Sequence, residues 1–345
     1  MSKSAIQAER RANEVDPYRS CQIAPFVKLL CPACTRDGIE LPYESLAQEC
    51  PVIACKNCSF TFIQRDGIWY ALPPDRHTYF ARFVREYEEV RRAEGRGSEA
   101  PEFYLALPHS DVTGRNSWQW SIRARTYRYL ARNILRDLPH MGNSSPTILD
   151  LGAGNCWLSY RLACLGGRPI AVDLLTNRWD GLGAALHYRP VLPKFFPRFQ
   201  AELDHLPFAD GQFDCAIFNA SFHYSEKYER TLAEATRCLR PGGMIVIADS
   251  PTYDSEARGR KMVKERQELF QEKFGFKSEG MASCEYLTRE RLITLEVKFG
   301  IEWRTHRVRH GFRWALRPWV AKLRRRREPS QFHVYTARVN HDHPF

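Results

Sequence analysis

No stretch of this 345-residue chain is an uninterrupted apolar run of transmembrane length, which excludes a helical membrane-spanning protein. Met1 to Ser20 is polar and charged and lacks the apolar block of a secretory leader, so the reading places the protein in the cytoplasm. A disulfide framework is missing as well. The eleven cysteines are an odd number, and Cys164, Cys215 and Cys238 fall inside apolar elements, where reduced thiols behave as small hydrophobes. What is present is ordinary for a globular protein: 43% hydrophobic residues and a length that allows one large domain with a small one beside it.

The chain is organised around Thr147-Ile148-Leu149-Asp150-Leu151-Gly152-Ala153-Gly154-Asn155. An apolar run after Pro146 predicts a buried strand. Gly152 and Gly154 allow a sharp turn and close approach to a ligand, and Trp157, Leu158, Leu162 and Cys164 follow at helical spacing. A dinucleotide fingerprint needs a third glycine at position 157; Trp157 stands there instead. Asp150, at the strand end, would repel a pyrophosphate and suits a cationic group. Asp173 closes the next apolar run, Pro169 to Val172, where a carboxylate takes both hydroxyls of a ribose. An adenosyl ligand with a positive amino-acid tail fits these features better than NAD.

These residues resemble the class I S-adenosylmethionine-dependent methyltransferases, over roughly residues 116 to 345. The turn at Asp150 to Gly154 is similar to their first motif and Asp173 to their ribose acid. Glu202-Leu203-Asp204-His205-Leu206-Pro207-Phe208, followed by Phe213-Asp214, resembles their adenine segment. Leu239-Arg240-Pro241-Gly242-Gly243 resembles the turn before their fifth strand. Cys156, at a position often glycine in the family, is a departure and is read as packing. The resemblance implies a doubly wound, seven-stranded, mostly parallel sheet with an antiparallel final strand. It implies S-adenosylmethionine as cofactor, held by Asp150, Gly152, Gly154, Asp173, Glu202, Leu203 and Asn219. The strand–helix alternation independently predicts an α/β doubly wound fold, with ligands bound beyond the carboxyl ends of the strands. That rule selects Asp150, Asp173, Asn219 and Asp249.

A second signal precedes this domain. Cys31-Pro-Ala-Cys34 and Cys55-Lys-Asn-Cys58 are separated by twenty residues, the spacing of a four-cysteine Zn2+ site. Short strands are expected at 51–54, 60–63 and 66–72. So small a module lacks the core to fold unaided, and a structural zinc makes up the difference. It resembles the zinc ribbons fused to, or partnering, several methyltransferases. Cys50 is an alternative fourth ligand. The expected organisation is a flexible lead over 1–28 with some helix from Ala5 to Asn13, a ribbon over 29–72, a helical linker or lid over 73–117, and the S-adenosylmethionine-binding domain over 118–345. Helices are expected at Tyr79 to Arg96 and Trp118 to Leu138, with 98–117 irregular; strands are expected at Ile301 to Val308 and Phe332 to Val339.

Methyl transfer from a sulfonium is an in-line displacement in which positioning supplies most of the acceleration; a nitrogen or hydroxyl acceptor also needs a base. His223 is the first candidate, just past the fourth strand. Asp249 and Tyr253 are the other catalytic candidates. The net charge of +11 is concentrated at 300–345, where eleven Lys/Arg face three Asp/Glu, with Lys322 to Arg327 placed in the turn between the last two strands. Three functions are open: methylation of a small aromatic, quinone-like or natural-product acceptor; methylation of an RNA base, using the ribbon and the basic loop; and a non-enzymatic zinc-ribbon binding role. The absence of an Asn-Pro-Pro-Tyr signature and of any further RNA-reading module weighs for the first. The sequence is silent on oligomeric state.

Overall fold

The computed structural model describes residues 26–48, 52–138 and 145–339. The helix expected within the N-terminal lead, Cys21 and the alternative ligand Cys50 lie outside these residues. The strands are β1 (Phe26–Leu30), β2 (Asp37–Pro42), β3 (Val52–Ala54), β4 (Thr61–Arg65), β5 (Ile68–Tyr70), β6 (Thr147–Leu151), β7 (Arg168–Asp173), β8 (Arg198–Gln200), β9 (Phe213–Asn219), β10 (Leu239–Ala248), β11 (Thr252–Tyr253), β12 (Leu287–Thr288), β13 (Arg304–His306) and β14 (Val334–Arg338). The main helices are α1 (Pro74–Ala93), α2 (Ser117–Asn133), α3 (Trp157–Cys164), α4 (Tyr228–Cys238), α5 (Glu256–Phe274) and α6 (Arg289–Phe299).

The central sheet runs β13-β14-β10-β9-β6-β7-β8-β5-β4-β3. It is parallel from β10 through β5, and β14 is antiparallel to both of its neighbours. Side chains alternate between two cores, as the strand period of two requires. Leu149, Leu151, Ile170 and Val172 enter one, together with Trp69 and Phe199. Ile148, Ala171, Ile217 and Val246 enter the other, beneath Trp120, Tyr127 and Trp157. Each fully buried Val, Leu, Ile or Phe side chain among them contributes roughly 1.5–3 kcal/mol.

The expected seven-stranded sheet is corrected to ten strands. Seven of them, β13 through β8, form the doubly wound part. The cysteine-bearing segment adds the other three, because β8 would otherwise be an edge with unpaired backbone groups. β5 docks parallel on β8 in the register Ile68↔Arg198, Trp69↔Phe199, Tyr70↔Gln200. The seam is bolted by side chains. The Trp69 indole is fully buried, lies 6.3 Å from the Phe199 ring and donates to the Leu46 carbonyl at 2.8 Å. The buried Arg198 guanidinium donates to the carbonyls of Asp66 and Leu182 at 2.7 and 3.0 Å. The Tyr43 hydroxyl donates to the Pro169 carbonyl at 2.6 Å.

Other boundaries shift for local reasons. α1 begins before the expected Tyr79, at Pro74, which occupies its first turn, where the missing N–H costs nothing. The stretch 98–117, expected to be irregular, holds a short helix, Pro101–Ala106, that buries Phe103 and Tyr104. α2 stops at Asn133, before a 3-10 turn at Leu135–Asp137. Only Arg304–His306 of the expected strand over 301–308 pairs with β14. Two short helices, Phe312–Ala315 and Arg317–Leu323, occupy the connection to β14, so the basic stretch starts in a helix, passes through a turn at Arg324 and Arg325 and ends in irregular structure. No helix among the described residues is long and apolar enough to cross a membrane.

Candidate active site

Two adjoining cavities open at the carboxyl ends of the parallel strands. The first encloses about 790 Å³, open solvent at its mouth included, and is lined by Gly152, Gly154, Asp173, Glu202 and Leu203 among others. The turn beneath it depends on glycine in two ways. Gly152 has φ +75°, and a Cβ there would lie 2.2 Å from the Ser221 Cβ; no side chain fits. Gly154, at φ +53°, donates its N–H to Asp173 Oδ2 at 2.7 Å, while Leu175 donates to Oδ1 at 2.8 Å. These bonds aim the carboxylate into the cleft. Burial nevertheless raises Asp173 to about 6.

Asp150 does not line this cavity. It is 1% exposed and accepts the Ser159 hydroxyl at 2.6 Å, so it anchors α3 to the strand rather than facing a ligand. Burial raises it to about 7. Glu202 is 4% exposed and receives Arg76 through three N–H contacts of 2.6 to 3.1 Å; despite its burial, hydrogen bonds from His205 and Arg76 hold it below the usual range. Arg76 sits in α1, and this helix forms the roof with Phe80, Phe83, Tyr87 and Arg91. It is tied down again where Arg91 Nε meets Asp180 at 2.5 Å and where Asn177 donates to Glu88 at 2.8 Å. The Asn177 side-chain oxygen, Oδ1, in turn accepts the N–H groups of Trp179, Asp180 and Gly181. The lining holds five carboxylates, Asp173, Asp180, Glu202, Asp204 and Glu226, against the single guanidinium of Arg91, which suits a cationic ligand.

The second cavity encloses about 1350 Å³, mouth included, and shares Tyr87, Arg91, Ala220 and Tyr224 with the first. His223 and Asp249 line it. His223 Nδ1 lies 3.3 Å from the Ser250 hydroxyl; burial, then the nearby Arg266 and Arg123, push it down to about 3. Asp249 is 5% exposed, with φ +50°. Its Oδ1 accepts the Thr126 hydroxyl at 2.7 Å, and its Oδ2 is buried with no partner among the described residues. Burial raises this carboxyl above its ordinary value. Tyr253 lies elsewhere. Its hydroxyl accepts from Arg327 at 2.8 Å, and the residue lines a separate groove with Arg289 and Arg307. Asn219 ends β9 and lines neither cavity.

At the far edge of the sheet the Sγ atoms of Cys31, Cys34, Cys55 and Cys58 lie within 4.8 Å of one another. The pairs Cys31–Cys58 and Cys34–Cys55 are 3.6 and 3.7 Å apart. Four thiolates at ~2.3 Å from a tetrahedral zinc sit ~3.8 Å from each other, so the donor set fits that ion.

Residues 149–247 match the family model described as a methyltransferase domain. The chain is 28% identical over 128 residues to a malonyl-[acyl-carrier protein] O-methyltransferase of Buchnera aphidicola, covering 35% of this chain and 48% of that protein. It is 30% identical over 128 residues to a demethylmenaquinone methyltransferase of Mycolicibacterium vanbaalenii, covering 37% and 50% respectively. The chain thus spans about half the length of the curated relatives it matches. A solved S-adenosylmethionine-dependent methyltransferase from Mesorhizobium loti aligns with 21% identity and a TM-score of 0.42, over 64% of this chain and 97% of that one.

The sheet brings Gly152, Gly154, Asp173, Glu202 and Leu203 to one cleft and His223 and Asp249 to the next. The linker or lid expected over 73–117 contains the roof helix, but none of its lining side chains was singled out. Phe80, Phe83 and Tyr87 recur at helical spacing in α1 and form an apolar stripe that its many charges hide. Asp180 was not singled out either, although the Asn-Arg-Trp-Asp run at 177–180 is the kind of stretch in which an Asn side chain caps its own turn.

Proposed function

We propose that this protein transfers a methyl group from S-adenosylmethionine to a small-molecule acceptor with an aromatic or otherwise flat apolar body. The observation that carries the reading is the junction of the two cavities. An acidic cleft built on the glycine turn meets a second chamber at Tyr87, Arg91, Ala220 and Tyr224, so a donor on one side and an acceptor on the other come face to face. The donor supplies an electrophilic methyl carbon on a cationic sulfur. Asp173 takes the ribose hydroxyls, Glu202 and Leu203 flank the adenine, and the remaining carboxylates favour the positive tail. Trp118, Phe270, Trp314 and Phe332 wall the second chamber. The named activities of the relatives, demethylmenaquinone methylation among them, support an acceptor of this size. The four cysteines hold a structural zinc, with no position left open for catalysis.

Where the acceptor carries a proton on the attacked atom, Asp249 is the better base. Its Oδ2 is unpartnered among the described residues and burial raises its affinity for a proton. His223, lowered to about 3, stays neutral and serves as a hydrogen-bond partner. The test is calorimetric titration of pure, zinc-replete protein with S-adenosylmethionine. Binding is expected, together with its loss in Asp173→Ala. An Asp173→Ala protein that binds as tightly as the parent refutes the assignment of the cleft.

A further inference from the structure

The two cavities carry opposite charge. Against the acidic donor cleft, the adjoining chamber presents five guanidiniums, Arg91, Arg96, Arg123, Arg266 and Arg317, and only two carboxylates, Glu94 and Asp249. Most of the guanidiniums are engaged. Arg91 is held by Asp180, Arg96 by Glu94 at 2.8 Å, Arg266 by both oxygens of Glu285 at 2.6 and 2.7 Å, and Arg317 reaches the Ser330 carbonyl at 3.4 Å.

Arg123 is the exception. It rises from the middle of α2, its guanidinium carbon 5.0 Å from the centre of the Trp120 ring. Among the described residues it has no hydrogen-bond or ion-pair partner. Asp249 lies on the same chamber wall, but its Oδ1 is spent on Thr126 and it forms no ion pair with Arg123. A guanidinium offers five N–H donors in a rigid fork matched to carboxylate and phosphate oxygens. Half-buried and without a partner in the protein, this guanidinium is incompletely solvated, a cost that an anionic ligand would recover. His223 reports the same local field, since Arg266 and Arg123 both disfavour its protonation. The apolar walls named above complete a site for a flat molecule with one charged end.

We infer that the acceptor is an anion: a flat apolar body bearing a carboxylate or phosphate whose oxygens are gripped by Arg123. The inference rests on the methyl-transfer reading for the word acceptor, but not for the anion site itself. A cationic donor and an anionic acceptor in adjoining cavities attract each other across the junction, so each binds better with the other in place.

The test uses the full-length, zinc-replete protein without donor and three probes of one shape: 2-naphthoate, 2-naphthyl phosphate and the neutral 2-naphthamide. Calorimetry is expected to show at least one anion binding tenfold or more tighter than the amide. Arg123→Gln is expected to cut that advantage below threefold, and Arg123→Lys to keep most of it. The melting curve and donor affinity of Arg123→Gln are expected to match the parent, since Arg123 does not line the donor cleft. A preference for naphthoate identifies a carboxylate, and one for the phosphate ester identifies a phosphate. Equal binding of the amide, no binding of either anion at millimolar concentration, or an undiminished preference in Arg123→Gln overturns the proposal. Anion binding without donor binding leaves the anion site standing and sinks the methyl-transfer reading instead.

Discussion

Lowering the pH from 7 to 5 is expected to weaken donor binding about tenfold, through one carboxylate. Burial lifts Asp173 to about 6 in the empty cleft, and a ribose diol bonds to the ionised form. The affinity therefore scales with the ionised fraction, which is nearly complete at pH 7 and about one tenth at pH 5, a difference of ~1.4 kcal/mol. The stability of the empty protein moves the other way. A raised carboxyl pKa favours the fold while the group is protonated, and that contribution is lost as the pH rises through 6. Asp150, lifted to about 7, has the same stability sign; because it faces Ser159 and not the cleft, it does not impose the binding slope. Calorimetric titrations at half-unit steps from pH 5 to 8 give the profile, and Asp173→Asn is the control. That variant keeps an oxygen for one of the two amide N–H donors and is expected to bind tenfold or more weakly at pH 7, with this slope removed. A parent profile that is flat, or one identical in Asp173→Asn, refutes the reasoning.

Three further outcomes follow from the same geometry. Gly152→Ala, whose Cβ would sit 2.2 Å from that of Ser221 at a φ of +75°, is expected to lose about 2 kcal/mol or more of stability and donor binding with it, read by urea unfolding and calorimetry. Arg76→Ala leaves the buried Glu202 without its guanidinium; because Arg76 is partly exposed, the expected cost is roughly 1–3 kcal/mol, seen as a lower urea midpoint with an unchanged slope. Removing zinc with a chelator, or Cys31→Ser, is expected to lower the melting temperature and to weaken donor binding. Metal content by mass spectrometry should give one zinc per chain in the untreated protein, and a zinc-free preparation with unaltered melting contradicts the structural role.

The glycine turn was legible because each of its residues has one job that only its type performs. Two glycines permit positive φ, an apolar run fills a strand buried on both faces, and Trp157 excludes the third glycine of a dinucleotide site. The cysteine pairs were legible for the same reason. The strand pairing that unites them was not. β8 is three residues long, Arg198-Phe199-Gln200, too short to show a period, and nothing local announces that Ile68 to Tyr70 will lie beside it. Asp150 illustrates a second limit. A strand end locates a residue on the ligand side of the sheet, but which face its side chain takes is set by alternation and by the helix above, and here it meets Ser159. Tyr253 illustrates a third, for closeness in sequence to Asp249 does not survive the turn into β11, which delivers it to Arg327. The second chamber is assembled from α1, α2, α5, the loops after β9 and β10 and the connection before β14, segments whose convergence no single stretch displays.

The docking of β5 on β8 has a bearing on how this chain tolerates being cut. The backbone that runs out of β8 passes directly into Ala201, Glu202 and Leu203 of the donor cleft, and the neighbour that steadies it enters from more than a hundred positions earlier. A polypeptide starting after residue 72 would present a raw border three residues wide, prone to recruit stray chains. Supplied with the missing fragment and zinc, the two halves should zip together without a covalent link and regain ligand binding as a reconstituted pair.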